Sequence, residues 1–321
     1  MRSHLEADGS TGPAGESLGP DHSDDHSDDH DTVVGPEPAP SKKGPARLVL
    51  HARIAEQVQA LELLGPVLRE GGDDGVHRLR KICRRLRAAL ATYRPLLDRD
   101  VTDPIRAELR WLARSLGATR DAEVVTARLE ALLDGQDEGL VVGPVGARLD
   151  RRRARILAEQ RRAVSDILSS ERYDLLRSSL DRLVEAAPWT PLAEEPAREV
   201  LPRQVRREWR RLRRIHRDAE DPHELRRAAK RMRYAYETLE PVWPRATERA
   251  RRAATELTEV LGERQDTVVA RAVLVELARE ATTTGESAFT YGRLHALEED
   301  RERELLDEAE RVWRRLKKRR W

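Results

Sequence analysis

A chain of 321 residues can hold one large domain or two modest ones, and 37 % charged residues beside 4 % aromatic argue against a β-sandwich, which needs aromatic and β-branched residues. The single cysteine, Cys83, excludes an internal disulfide scaffold or a CxxC metal knuckle, and no apolar run approaches the ~18 residues of a membrane span. The net charge of +2 conceals an asymmetry: residues 1–44 hold ten acids against three bases, so the other 277 residues carry +9 and favour a polyanionic partner.

Residues 1–44 are rich in Gly, Pro, Ser and Asp and lack the apolar surface that would offset the entropy of ordering, so a disordered acidic tail is expected. Within it, DHSDDHSDDHD spaces His22, His26 and His30 four residues apart among carboxylates. This is a weak candidate for a divalent metal, because the flanks offer nothing to fix the ligands.

From Arg47 onward the apolar residues recur with a period near 3.6 and no strand-like alternation stands out, which predicts an all-α fold. Helices are expected over roughly 47–69, 74–98, 103–116, 119–134, 145–170, 172–186, 198–217, 222–240, 244–261, 264–282 and 289–319. GQDEGLVVGPVG and APWTPLAEEP read as loops. The second loop divides a domain at 45–321 into halves of about 45–187 and 197–321.

Two pairs of motifs support that division. HRLRKICRRLR begins at His77 and HELRRAAKRMR at His223; LGATRD follows the first after 39 residues and LGERQD the second after 38. Chance readily produces one such pair in an Arg-rich chain, but two pairs in register point to a duplicated bundle with approximate twofold symmetry.

On a helical wheel with His77 at zero, Arg84 falls at −20°, Arg80 at −60°, Arg87 at −80° and Lys81 at +40°, opposite Leu79, Ile82, Cys83 and Leu86. The second segment repeats this with His223, Arg226, Arg227, Lys230 and Arg233 on the cationic side, joined by Tyr234, whose hydroxyl is a candidate donor. Like charges three and four apart repel by a few tenths of a kcal/mol per pair. No acid interrupts the first row between Val76 and Leu97, so an external anion is expected to compensate it. Gly117 and Gly262 are expected at left-handed helix ends, with new helices starting near Asp121 and Asp266; Arg114, Arg120 and Arg264 lie close enough in sequence to join the basic surface.

The His-x-x-Arg helix with its basic row, the Leu-Gly-x-x-Arg-Asp turn and the repeated His-x-x-Arg…Lys-Arg-x-Arg-Tyr helix resemble the CHAD domain, the conserved histidine α-helical domain. The likeness runs from about residue 47 to the closing Trp313 helix. It implies two four-helix bundles related by pseudo-twofold symmetry around a basic surface that binds inorganic polyphosphate, in some members on polyphosphate granules. The implied contacts are His77, Arg80, Lys81, Arg84, Arg87, Arg114, Arg120, His223, Arg226, Arg227, Lys230, Arg233 and Tyr234. Two positions depart from the pattern: Lys81 replaces a commonly apolar residue, and Gln265 stands where the first half has Arg120, which predicts fewer contacts from the second half.

The Glu-x-Glu-x-Lys signature of the CYTH triphosphatase domain that accompanies some CHAD domains is not found. Neither a Walker loop nor a carboxylate cluster stands out, so a non-catalytic binding module without cofactor is expected, cytoplasmic and without a membrane partner. The predicted surface also lacks aromatic platforms for stacked bases, which weighs against nucleic acid.

Overall fold

The structure is a computed structural model that describes residues 38–69, 74–218 and 222–318. Among the described residues ten α-helices form: α1 Ala46–Arg69, α2 Gly75–Thr92, α3 Arg99–Ser115, α4 Gly117–Asp134, α5 Val145–Leu168, α6 Glu171–Glu185, α7 Ala197–Asp218, α8 Pro222–Leu239, α9 Pro244–Thr283 and α10 Phe289–Lys318. The expected all-α class is what forms, with only isolated bridges, Pro45 to Pro196 and Leu97 to Trp189, among the described residues.

Local chemistry sets several boundaries. Asp98 caps α3 by accepting from the Asp100 amide at 2.9 Å, and Ser170 caps α6 by accepting from the Tyr173 amide at 3.3 Å. Pro244 opens α9, where a missing amide hydrogen costs nothing. The first basic helix stops at Thr92 rather than running to residue 98, because Pro95 shapes a short 3-10 turn over Arg94–Leu96.

Residues 41–44, assigned above to the tail, belong to the fold. The Ala197 amide donates to the Gly44 carbonyl at 2.8 Å and the Arg198 amide to the Lys42 carbonyl at 3.0 Å, so this segment ties the start of α7 to the start of α1. The expected metal candidates His22, His26 and His30 lie outside the described residues.

The Pro-rich seam at 187–197 is stitched down rather than slack: Asp98 donates its amide to Pro188 at 2.8 Å, and Thr190 donates its amide to Leu96 at 3.0 Å. Apolar packing does not divide there. The larger core takes Leu50 and Ile54 of α1, Leu79 and Leu86 of α2, Leu109 of α3 and Leu180 of α6 together with Leu212, Met232, Leu257 and Leu316 from beyond the seam. A smaller core joins Leu129 of α4, Leu149 of α5, Leu274 of α9 and Leu294 of α10. Arg128 reaches across the α4–α10 contact to donate to the buried Glu298 at 2.6 Å. Truncating a buried leucine such as Leu86 costs about 2–5 kcal/mol in a packed core.

Candidate functional site

Both basic helices show the two faces that the wheel requires. Leu79, Ile82, Cys83 and Leu86 of α2 and Ala228, Ala229 and Met232 of α8 are buried, and the cations stand opposite. Tyr93, just past α2, donates its hydroxyl to the Ala235 carbonyl at 3.0 Å and pins α2 against α8; burial holds that phenol far above its ordinary range. The two cationic rows therefore meet.

At the meeting point lie Arg84 of α2 and Arg226 and Lys230 of α8. Burial, then the charges of Arg226, Arg84 and Arg233, push the Lys230 amine down to about 7, with Asp266 opposing. Burial likewise lowers Arg84, with Arg80 and Arg226 adding to the effect and Tyr234 and Asp121 opposing it. Arg84 donates its Nε to the Arg80 carbonyl at 3.1 Å, while the Arg226 Nε is buried without a partner. None of Arg84, Arg226 and Lys230 is ion-paired among the described residues. Two guanidiniums and an amine that titrates near neutral pH, held together in a partly desolvated site, create a strong positive field.

The neighbouring cations are treated differently. Arg80 forms a forked pair with Asp121 of α4, at 2.9 and 3.3 Å. Glu237 accepts from Arg53 at 2.9 Å and pairs with Arg85 at 3.0 Å and Arg233 at 3.5 Å. Glu208 of α7 faces Arg231 at 3.4 Å. The inference that α2 lacks counter-charges thus holds along its own sequence but not in space, because Asp121 of α4 pairs with Arg80 and Glu237 of α8 with Arg85. What stays without an ion pair among the described residues is the narrower group of Arg84, Arg226 and Lys230, on which Asp121 and Asp266 act only from farther off.

The two glycines correct a second expectation. Neither is left-handed: Gly117 is the first residue of α4, and Gly262 sits inside the continuous α9, which merges the two helices expected at 244–261 and 264–282. Each lies against an arginine of a basic helix, and at Gly262 the approach is tight enough that the missing side chain makes room for it. A Cβ on Gly117 would lie 3.6 Å from the Arg80 Nη2, and one on Gly262 only 3.3 Å from the Arg226 Nη2. The Asp of each motif lies nearby: Asp121 binds Arg80, and Asp266, which burial raises above its ordinary value, feels Arg226.

The remaining predicted residues separate into groups. Arg87 faces α3, where the charges of Arg110, Arg106 and Arg114 add to burial in lowering it, so Arg87 and Arg114 belong to a flank of the site. Arg120 donates to Glu123 at 2.6 Å, and Arg264 donates to Glu302 at 2.9 Å on α10. His77 is exposed, and burial, then Arg120, hold it below its ordinary range despite Asp74; its protonation needs more acid than the unperturbed value suggests. Lys81, His223 and Arg227 are exposed, and His223 and Arg227 are engaged by partners. Tyr234 is buried, with the Arg233 guanidinium carbon 4.7 Å from its ring centroid, so it supports the row from beneath. Of the second half, α8 gives Arg226 and Lys230 to the cluster, while Arg233 pairs with Glu237 at its edge.

Sequence reasoning missed Glu208, Arg106 and Arg110, which lie on helices without a repeated motif. Their only signal was the arginine density of α3 and α7. Among the described residues no cluster of three or more His, Cys, Asp or Glu could hold a metal ion, and no helix is long and apolar enough to cross a membrane.

Comparison with known proteins agrees with this architecture. The CHAD domain family matches residues 52–275. Two Mycobacterium tuberculosis proteins, "Uncharacterized protein MT2285" and "Uncharacterized protein Rv2226", are each 32 % identical over 301 residues. The alignment covers 89 % of this chain but 56 % of either relative, so the chain spans little more than half their length. Among solved structures, PptA from Streptomyces chartreusis is similar with a TM-score of 0.69 at 22 % identity, over 84 % of this chain and 99 % of that one. The CHAD domain from the plant Ricinus communis is similar with a TM-score of 0.67 at 22 % identity, over 87 % and 94 % of the two chains. With the paired basic helices and the glycine that makes room for Arg226 in place, the family match over most of its folded part makes this chain a member of the CHAD domain family.

Proposed function

We propose that the chain binds inorganic polyphosphate without cleaving it, through the cluster of Arg84, Arg226 and Lys230 with Arg80 and Arg233 at its edges. The observation that carries this reading is the convergence of three cations from two helices, partly buried and without carboxylate partners. Such a cluster costs repulsion and desolvation that a polyanion offsets. Polyphosphate offers closely spaced charges and no base or sugar, which suits forked guanidinium donors better than a shaped pocket. Membership of the CHAD family supports the same ligand, and a binding module of this kind is suited to holding its chain on polyphosphate granules.

A salt-dependent titration tests the reading. Polyphosphate affinity of the wild type should fall linearly in log–log form with salt, and Arg84→Gln/Lys230→Gln should reduce both affinity and slope, by about one to two released counterions. Equal displacement of polyphosphate by duplex DNA at matched phosphate concentration would turn the assignment toward nucleic acid. Release of orthophosphate with Mg²⁺ or Mn²⁺ would turn it toward an enzyme.

A further inference from the structure

A second concentration of arginine lies away from the α2–α8 cluster. A cleft of about 720 Å³ opens between the end of α2, α3, α7 and α8; eight of its twelve lining residues are arginine and one, Glu208, is an acid. The acids within reach are already engaged. Glu208 faces Arg231 at 3.4 Å, and Asp103 of α3 binds both Arg94 and Arg106. Arg99, Arg207, Arg211 and Arg214 have no carboxylate partner among the described residues. The buried Nε atoms of Arg94 and Arg106 have no hydrogen-bond acceptor either.

The contrast with the other side of α8 is informative. There, Glu237 gathers Arg53, Arg85 and Arg233, and Glu240 takes Arg251 at 3.0 Å. The α7 face instead repeats arginine at 207, 210, 211 and 214, spacings at which like charges repel along a helix. Lys230 and Arg231 are adjacent on α8 but 100° apart around it, so one serves the first cluster and the other the cleft.

We propose that the arginine cleft between α3, α7 and α8 is a second anion site that takes a segment of a linear oligophosphate. Its guanidiniums supply forked donors to non-bridging phosphate oxygens, and the orphaned Nε atoms gain acceptors. Arg106 acts electrostatically on both Arg87 and Arg231, so a basic strip connects the cleft with the flank of the first cluster. A long chain can therefore engage both sites and gain affinity through effective concentration, while a short one occupies each separately. The choice of phosphate as ligand chemistry rests on the reading of the first site as a polyphosphate site.

Calorimetric titration of the full chain with tripolyphosphate, too short to bridge, tests this. The wild type should bind two per chain, Arg211→Gln/Arg214→Gln one, and Arg84→Gln/Lys230→Gln one. Long-chain polyphosphate should bind at least tenfold more weakly to either variant. Arg211 and Arg214 are exposed, so their replacement should leave the fold intact, which the helical circular dichroism of the variant checks. Unchanged stoichiometry and long-chain affinity in Arg211→Gln/Arg214→Gln would overturn the cleft and leave the first site standing. Loss of all binding in that variant, with Arg84→Gln/Lys230→Gln behaving as wild type, would overturn the first site instead. If Arg211→Gln/Arg214→Gln weakens a DNA duplex but not tripolyphosphate, the cleft is not an oligophosphate site.

Discussion

Replacing Lys230 by Met should remove a pH dependence from the stability of the ligand-free protein. In the unfolded chain this amine titrates at its ordinary 10.5; in the fold, burial and the guanidiniums of Arg226, Arg84 and Arg233 bring it to about 7. Between those values the unfolded state binds the extra proton, so Lys230 makes the protein more stable as pH rises from 7 toward 10.5 and leaves stability flat below 7. One pKa unit corresponds to about 1.4 kcal/mol. Lys230 keeps partial contact with solvent, so screening shrinks its pKa shift and brings the total gain over the pH range to roughly half of the unscreened value. Urea unfolding at pH 7, 8 and 9 should show the wild type gaining ~1.4 kcal/mol relative to Lys230→Met across the two units. Parallel pH profiles for the two proteins would refute the crowded, desolvated cluster. Polyphosphate affinity should run the opposite way, since an anion beside Lys230 raises its pKa and binding then weakens as pH climbs above 7.

Glu237→Gln should destabilise the chain by about 3 kcal/mol in urea unfolding, because it leaves Arg53, Arg85 and Arg233 without their shared carboxylate in a site where Glu237 and Arg53 are 12 % and 11 % exposed. Gly262→Ala should move the Arg226 guanidinium and weaken polyphosphate binding by about tenfold, the worth of one charge-assisted hydrogen bond, whereas Gly117→Ala, at ordinary contact distance, should change it little. Trp313→Ala should cost ~3–5 kcal/mol, since Trp313 stacks on His216 at 3.9 Å and on Trp209 at 5.7 Å to hold α10 against α7. A chevron analysis that placed its effect at under 1 kcal/mol would show that this stack is not what joins the two helices.

The helical class, the two amphipathic basic rows and the family likeness were all legible in the sequence, because each depends on spacing along a single helix. Leu79, Ile82, Cys83 and Leu86 are buried where the wheel puts them, for the same reason. Helix ends that depend on proline and capping residues were placed within a few residues, apart from α2, which gives way at Pro95, and α9, which passes through Gly262 unbroken.

Tertiary structure decided which charges count. Arg80 and Arg84 look alike on the wheel, yet Asp121, 41 residues away, compensates one while the other faces Arg226 across a helix contact. Gly262 reads as a helix terminator but serves as the space for a guanidinium that arrives from α8. The arginines of α7 look like a solvated face until α3 and α8 close a cleft around them. Periodicity reports what one helix does with its own residues; Coulomb energy and close approach depend on distances that only the packed chain sets.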